Sequence, residues 1–300
     1  MPRLLLARGH TRLGGGDLRW ALAFAQRMWG VVVEREGLLF DTSLVPASEG
    51  SARPRACVYL LLGGRWELRG DERGRFDAPA AMVLSDEQLE GAAGARPFTF
   101  LARGAPYRSV QLHLDVEDLV TPPADRPVLV TLDEVCWATA QRTARLAQHD
   151  DERLEAAFTR LLEHLGRAGV LRPGVAERVL RPPATGFALL WRALRPMVER
   201  FYLTATLQEV VSASGLSARQ LDRRVQAFVG AFGLSGDGWR QATRHLRIKI
   251  AVILLSADDA TMTAVAGAVG YGSVDAMARA FRDAGLPAPT AVQQRLHATK

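Results

Sequence analysis

Hydrophobic and polar residues alternate with period two in the N-terminal half of the chain. In the segment 110–116, VQLHLDV, the odd and even positions differ in polarity, and this pattern predicts a half-buried strand with one face in solvent. His113 lies on the predicted solvent face. The segments 57–62, CVYLLL, and 128–132, VLVTL, add further strands. Val110, Leu112, Leu114 and Val116 form the predicted apolar face.

Other parts of this half predict mixed structure. Gly63 and Gly64 follow CVYLLL and precede RWELR, a pattern that predicts two short strands separated by a glycine turn. Nearer the start, residues 30–36, GVVVERE, are typical of a strand. Residues 17–29, DLRWALAFAQRMW, favour a helix. Strands at this spacing suggest a sandwich or a barrel.

The period changes to a helical one after Asp133. An apolar stripe at helical spacing runs from Leu154 to Leu165 and ends before the helix-ending Gly166 and Gly169. This stripe is either domain core or a dimer seam. The Arg-Pro-Pro sequence at 181–183 predicts a linker, and no strand pattern follows it. The stripe consists of Leu154, Phe158, Leu161, Leu162 and Leu165.

Residues 206–225, TLQEVVSASGLSARQLDRRV, predict two helices around a sharp corner. Thr206 and Glu209 form a T-x-x-E capping box that starts the first helix, and Gly215 suits the corner. Ser217 and Gln220 form a second box that starts the next helix. Leu221, Val225 and Phe228 recur on its inner face, and Arg219, Gln220, Arg223 and Arg224 point outward. This arrangement is a helix-turn-helix with a basic outer face.

A second copy of the same plan lies at 261–281, TMTAVAGAVGYGSVDAMARAF. Gly270 is the corner, Ser273 caps the following helix, and Arg279 and Arg282 face outward. Between the copies, WRQATRHLRIKIAVILLS predicts one long helix. Its expected apolar stripe is Trp239, Thr243, Leu246, Ile250, Ile253 and Leu254. Two such units joined by a helix can present two reading heads to one face of a DNA duplex.

Charge supports this division of the chain. Residues 1–183 carry 24 basic and 24 acidic residues, whereas residues 184–300 carry 14 basic and 8 acidic ones, so the net charge of +6 lies entirely in the second part. That asymmetry is typical of a nucleic-acid-binding region joined to a neutral partner region. Arginine supplies 36 of the 38 basic residues, so a single arginine carries little information.

Residues 190–296 resemble the DNA-binding domain of the AraC-type family of transcription regulators. The resemblance rests on TLQEV..ASGLSARQLDRRV, on RIKIAVILL from Arg247 to Leu255, on AVAGAVGYGSVDAMARAF and on a closing Pro289. It implies two helix-turn-helix subdomains in successive major-groove segments. It also implies an N-terminal effector-binding or dimerisation domain, often a cupin-like barrel followed by helices, and activation through RNA polymerase.

The roles of the outward side chains follow from their places on the helices. Arg219 and Gln220 lie early in the first recognition helix and are predicted to contact base edges, guanine and adenine respectively. Arg223, Arg224, Arg279 and Arg282 are predicted to contact phosphates, which positions the protein without specifying sequence. The second recognition helix has Ala276, Met277 and Ala278 where the family commonly has more polar or aromatic residues. The predicted DNA-binding set is Ser217, Arg219, Gln220, Arg223, Arg224, Ser273, Asp275, Arg279 and Arg282.

Other kinds of function lack the residues they need. The six histidines show no HxH or HExxH spacing, which disfavours a metal site, and Gly14-Gly15-Gly16 lacks the GK[ST] of a phosphate loop. Cys57 and Cys136 sit among apolar residues and are expected to be buried and inert. No paired carboxylates or nucleophile elbow indicate an enzyme, and we expect no cofactor. No signal peptide or membrane span is expected, and the cytoplasm is the expected compartment.

The sequence thus predicts an α+β protein in three parts. Residues 1–130 form a β-rich sensor domain, residues 131–183 a helical segment with a dimerisation role, and residues 184–300 an all-α DNA-binding domain. The predicted function is a transcription regulator, with an activator favoured, which binds double-stranded DNA and whose N-terminal domain responds to a small molecule. The alternative is an effector-independent regulator or protein–protein adaptor that uses mainly the first helix-turn-helix.

Overall fold

The computed structural model shows an α+β protein, as predicted. It describes residues 4–13, 16–25, 27–45, 54–70, 74–85, 88, 98–124, 126–147, 151–179, 181, 185–199, 206–232, 234 and 238–298. Nine antiparallel strands form one sheet within the described residues, in the order β1-β2-β3-β8-β5-β7-β9, with β4 beside β8 and β6 beside β5. The strands are β1 Leu5–Leu13, β2 Gly16–Ala25, β3 Met28–Arg35, β4 Leu38–Asp41, β5 Arg55–Gly70, β6 Gly74–Asp77, β7 Ala80–Ser85, β8 Phe98–Asp115 and β9 Val128–Val130.

The α-helices whose bounds the structure describes follow the sheet in the chain. Among them, two pack on the sheet, a short one follows, and seven form the C-terminal region. No helix in the described part of the chain combines the length and apolar character needed to cross a membrane. The helices are α1 Glu134–Leu146, α2 Asp151–Arg167, α3 Val175–Val179, α4 Thr185–Val198, α5 Leu207–Ser214, α6 Ala218–Phe232, α7 Trp239–Leu255, α8 Met262–Ala268, α9 Val274–Asp283 and α10 Pro289–His297.

The prediction of a helix at 17–29 is wrong, because this segment forms β2 and the start of β3. From Trp20 to Ala25 side chains on both faces of β2 are buried, so this part of the sequence has no polar face to show period two. The bulky side chains Leu18, Trp20 and Phe24 point to the C-terminal helices. Ala21 and Ala23 point to the opposite face, which α1 and α2 cover. The strand predicted at 30–36 is confirmed as part of β3, and the one at 128–132 contains β9.

The predicted glycine turn at 63–64 is also wrong. Strand β5 runs unbroken from Arg55 to Gly70, and Gly63 and Gly64 form a bulge where its pairing with β8 shifts register. Gly64 has φ +88°, and a Cβ on Gly104 would lie 2.5 Å from the Cα of Gly64. Only glycine permits this close approach of two backbones. The bulge lets β5 and β8 bend together around a small core that includes Tyr59, Trp66 and Tyr107.

The face of β8 that was predicted to be wet is buried near its end. His113 and Asp115 are each 3% exposed. The His113 ring stacks on Trp29 with their centroids 3.7 Å apart, and Asp115 accepts a hydrogen bond from buried Arg55 at 3.1 Å. The alternating sequence near the end of β8 therefore corresponds to two buried faces. One face is apolar, and the other contains the charged pair of Asp115 and Arg55.

The apolar stripe of α2 is core within a single chain. All five of its side chains are at most 1% exposed, and they pack with α1 against the face of the sheet formed by Ala56, Val58 and Leu112. This settles the alternative between core and dimer seam in favour of core. The dimerisation role of residues 131–183 stays a prediction. The linker prediction falls partly outside the described residues, since only Arg181 of 181–183 is described.

The C-terminal helices share one hydrophobic core with the sheet. Leu5, Trp20 and Phe24 from the strands pack in the same buried cluster as Trp191 of α4 and Phe228 of α6. Indole Nε1 of Trp191 donates to the backbone oxygen of Leu6 at 3.0 Å. The predicted boundary at 183/184 lies just before α4, but apolar packing crosses it.

The long linking helix is confirmed as α7, but its predicted apolar stripe is too narrow. Ile250 and Leu254 are buried as predicted, whereas Leu246 and Ile253 are only half-buried; Thr243 is half-buried too, and the side chain of Trp239 lies outside the description. Ile248, Ala251, Val252 and Leu255 are buried in addition. The second half of α7 is enclosed because it lies between both helix-turn-helix units and the sheet.

Candidate nucleic-acid interface

The first helix of the first unit begins and ends as the sequence predicts. The backbone N–H of Glu209 donates to Oγ1 of Thr206 at 3.3 Å, and the N–H of Thr206 donates to Oε2 of Glu209 at 2.6 Å. This capping box satisfies two amides that the start of α5 would otherwise leave unpaired. Gly215 ends α5 with φ +66°, and its N–H donates to the oxygen of Val211 at 3.1 Å.

The second capping box of this unit is present as well, at the start of α6. The N–H of Gln220 donates to Oγ of Ser217 at 3.3 Å, and the N–H of Ser217 donates to the side-chain oxygen of Gln220 at 3.0 Å. Bidentate recognition of adenine needs that same amide oxygen as an acceptor. Gln220 therefore has a structural role in this conformation, and Arg219 is the stronger candidate for a base contact.

The second unit repeats the plan with simpler caps. Oγ1 of Thr261 accepts from the N–H of Ala264 at 3.2 Å and starts α8, and Oγ of Ser273 accepts from the N–H of Ala276 at 3.1 Å and starts α9. Gly270, with φ +78°, forms the corner. Met277 and Phe281 are fully buried on the inner face of α9, as predicted.

The side chains of the predicted DNA-binding set are all at the surface. The inner positions Leu221, Val225 and Phe228 of α6 are buried, so the arginines of this helix occupy its opposite side. Within the described ranges, no carboxylate forms an ion pair with any arginine of α6 or α9. Helix α6 has three arginines and one aspartate and thus presents net positive charge, as phosphate binding requires, whereas α9 has two arginines and two aspartates that do not pair with them in the described ranges. The exposed members are Ser217, Arg219, Gln220, Arg223, Arg224, Ser273, Asp275, Arg279 and Arg282.

Arg224 lies against a neighbouring helix although it is exposed. A Cβ on Gly186 of α4 would lie 3.2 Å from Nη1 of Arg224, so this guanidinium rests against α4. The contact restricts the orientation of Arg224.

Sequence reasoning missed a further group of arginines on α7. Arg240, Arg244 and Arg247 recur at spacings of four and three residues, so they share one face of a helix that has no acidic residue. Arg244 and Arg247 lie near Tyr271, which follows the corner of the second unit. Burial raises the pKa of Tyr271 and these two cations oppose that rise; burial also lowers the pKa of Arg247. The spacing and the absence of acids were the available signals.

The two cysteines are buried, as predicted. Cys57 and Cys136 are each 0% exposed, and burial raises the pKa of the Cys136 thiol to about 11. A thiol with a raised pKa carries little thiolate near neutral pH and is a poor nucleophile. In the described part of the chain, no three His, Cys, Asp or Glu side chains are grouped to hold a metal ion.

Comparison with known proteins yields structural likenesses only. No protein-family model matches the chain, and no curated protein matches it. Among solved structures, ToxT from Vibrio cholerae is 9% identical with a TM-score of 0.36, covering 89% of this chain and 98% of that one. A DNA-binding transcriptional dual regulator from Escherichia coli K-12 is 21% identical with a TM-score of 0.30, covering 37% and 93%. The AraC-like transcriptional activator CuxR is 14% identical with a TM-score of 0.27, covering 82% and 86%. Likeness at this level says nothing about individual residues, so the site rests on its own geometry.

Proposed function

We propose that this chain is a transcription regulator of AraC type that binds double-stranded DNA. Helices α6 and α9 would enter successive segments of the major groove, with their N-terminal ends toward the bases. The observation that carries the proposal is the repeated unit: a capped helix, a left-handed glycine corner, and a second capped helix whose outer arginines are exposed. Those arginines have no carboxylate partner among the described residues.

Within this proposal the side chains divide into two roles. Arg219, in the first turn of α6, would donate two hydrogen bonds to a guanine edge. Arg223, Arg279 and Arg282 would bind phosphates, with Arg224 restricted by α4 and Ser217 and Ser273 as helix caps at the DNA surface. Asp275, in the first turn of α9, has the acceptor that cytosine N4 requires. The basic row of α7 would add phosphate contacts beside α9.

The remaining roles rest on the family resemblance. The N-terminal β-rich region would bind a small-molecule effector or mediate self-association as a homodimer, and activation would proceed through contact with RNA polymerase. The proposed domains are the three predicted ones, with the C-terminal region from residue 184 as the DNA-binding part, and the proposed compartment is the cytoplasm.

The test is to capture fragments of the source genome with the purified full-length protein and to sequence them. We expect a shared sequence motif. Arg219→Ala should blur that motif at one position, costing about 1–3 kcal/mol of discrimination there. Arg223→Ala should weaken all sites alike and leave the motif unchanged.

Two results would count against the proposal. If the wild-type protein enriches no motif and capture depends on salt alone, α6 is a basic surface without a reading function. If the motif and the affinity both survive intact in Arg219→Ala and Arg223→Ala, the outer face of α6 does not contact DNA, which favours the adaptor alternative.

A further inference from the structure

We propose that the N-terminal sheet fixes the relative placement of the two recognition helices, with Phe24 and Arg35 as its positioning residues. This inference rests on the proposed DNA-binding function, since it concerns how the two reading heads are spaced. It assigns the sheet a role that does not require any bound effector.

Phe24 of β2 joins the sheet to the first unit. Its ring lies 5.0 Å from the ring of Trp191, 5.3 Å from Phe228 and 5.1 Å from Phe232, measured between centroids. Phe228 and Phe232 are on the inner face of α6, the helix whose outer face carries Arg219. The edge-to-face and tilted geometries of these pairs restrict the rings to one arrangement. Movement of Phe24 would therefore be transmitted to α6.

Arg35 of β3 joins the sheet to the second unit. Its guanidinium donates to the backbone oxygen of Ile253 and, at 3.1 Å, to Oγ of Ser256. Both acceptors lie at the carboxyl end of α7, where a cation stabilises the helix dipole. Six residues after Leu255, the last residue of α7, Thr261 caps α8 and starts the second unit. Arg35 thus contacts the end of α7, from which the chain continues into the second helix-turn-helix unit.

The surroundings of Arg35 show that this contact is specific. The residue is 2% exposed, and in the described ranges no carboxylate forms an ion pair with it. Burial lowers its pKa to about 10. A buried cation without a counter-ion is costly unless its hydrogen bonds are made. The acceptors at the end of α7 supply the hydrogen bonds of Nη1, while Nε is buried without a partner among the described residues. Separating α7 from the sheet would therefore remove the hydrogen bonds that this buried charge makes.

The contact made by Phe24 and the contact made by Arg35 lie at well-separated places on the sheet. Trp29 pairs with Phe24 across β2 and β3, and Arg35 lies six residues further along β3. At about 3.3 Å per residue, this separation is about 20 Å. Helix α7 packs against both units, and the sheet adds a contact to α6 at one place and a contact to the end of α7 at another. These added contacts would restrict rotation of one unit relative to the other about α7.

A direct test measures the distance between the heads without DNA. Spin labels are placed on exposed positions of α6 and α9 through Ala227→Cys and Asp283→Cys; the native Cys57 and Cys136 are fully buried. In the wild-type background we expect one narrow distance distribution. Arg35→Met keeps the length of the side chain without its charge, and we expect it to at least double the width. Arg75→Gln, on exposed β6, is the matched control and should leave the width unchanged.

The second arm measures operator spacing. Two half-sites are separated by the natural spacing or by one or two inserted base pairs. The wild-type protein should lose at least tenfold in affinity for the altered spacings, and Arg35→Met should reduce that penalty at least threefold while its affinity for a single half-site stays the same. If Arg35 only stabilises the fold, Arg35→Met should lower the affinity for all sites equally and leave the loss of affinity at altered spacings unchanged.

Milder variants keep the test decisive if Arg35→Met does not fold. Ser256→Ala removes one acceptor of Arg35, and Phe24→Leu keeps an apolar side chain without the ring stacking; each should broaden the distance distribution, by less than Arg35→Met. Unchanged widths in these variants would overturn the inference. The two proposals can fail separately. If no DNA motif is enriched, but the distance distribution is narrow in the wild type and broad in the variants, the proposed function is overturned and the inference about the placement of α6 and α9 stands.

Discussion

Several arginines of the sheet have surroundings opposite to those of the arginines on α6 and α9. In the sheet, Arg55 pairs with buried Asp115, Arg108 pairs with Glu34 at 2.5 Å, and Glu67 lies between three arginines. On α6 and α9, the arginines are exposed and lack carboxylate partners among the described residues. The chain is rich in arginine throughout, so a carboxylate partner separates these sheet arginines from the exposed arginines proposed to bind DNA. Arg35 differs from both groups, since it is buried and donates to the end of α7 without a carboxylate partner among the described residues.

The physical reason is that paired and unpaired arginines produce different electrostatic potentials at the protein surface. A paired arginine contributes little field beyond its partner, whereas a row of unpaired arginines attracts phosphates and releases their counterions on binding. Residues 184–300 carry a net charge of +6, whereas residues 1–183 carry equal numbers of basic and acidic residues, several of which form internal ion pairs. Four substitutions test this difference, from the largest expected effect to the smallest.

Removing the buried carboxylate Asp115 should have the largest effect. Asp115→Ala leaves Arg55, whose side chain is 2% exposed, as an uncompensated buried charge, and we expect a loss of about 3 kcal/mol in the free energy of unfolding. Urea denaturation measures this loss. Asp275→Ala, on exposed α9, is the control and should change stability little. If Asp115→Ala lowers the free energy of unfolding no more than Asp275→Ala does, the pair of Arg55 and Asp115 does not stabilise the fold.

Removing Arg279 should act on DNA binding and not on stability. We expect Arg279→Gln to weaken binding to every sequence, and to make the plot of log affinity against log salt shallower by about 0.9, as for one lost phosphate contact. Fluorescence anisotropy over a salt series measures both. A change in the preferred base at one position would instead assign Arg279 a base contact and contradict its phosphate role.

Removing Arg244 should have a smaller effect of the same kind. Its guanidinium is half-buried near Tyr271, so Arg244→Gln should lower the salt dependence by less than Arg279→Gln does. Arg192→Gln, on an exposed position of α4, is the control. If Arg244→Gln lowers the melting temperature but leaves the salt dependence intact, the row on α7 is structural.

Removing Arg75 should change almost nothing. It pairs with Asp77 at 3.3 Å, but the two side chains are 58% and 64% exposed, and such pairs contribute at most about 0.5 kcal/mol. Arg75→Gln should therefore leave both the unfolding free energy and DNA affinity unchanged. A measurable loss of DNA affinity would show that net charge, independent of position, drives binding, and would break the comparison between the two regions.

Local patterns predicted the C-terminal region well because its signals are local. A capping box, a glycine corner and an apolar inner face all lie within about 20 residues, and each was confirmed for the unit around Gly215. The same reasoning failed for β2 and for Gly63–Gly64. Burial on both faces removed the alternation of β2, and a bulge in a continuous strand has the same residues as a turn between two strands.

The role of Gln220 shows a finer limit of local reasoning. Its position early in α6 suggested a base contact, and its spacing from Ser217 suggested a cap, and both readings came from the same residues. The structure places the amide oxygen of Gln220 in the capping box. A side chain with one amide oxygen cannot fully serve both roles at once, and the sequence pattern does not rank them.

The sequence by itself determined the helix starts, the corners, the core faces of α6 and α9 and the strand content of much of the N-terminal half. These features depend on residues near one another in the chain, through hydrogen bonds and side-chain periodicity. The tertiary structure alone decided that the sheet shares a core with the two helix-turn-helix units, and that Phe24 and Arg35 contact α6 and α7. Those contacts join residues about 200 positions apart, such as Phe24 with Phe228 and Arg35 with Ser256, and no local pattern encodes which apolar surfaces will meet.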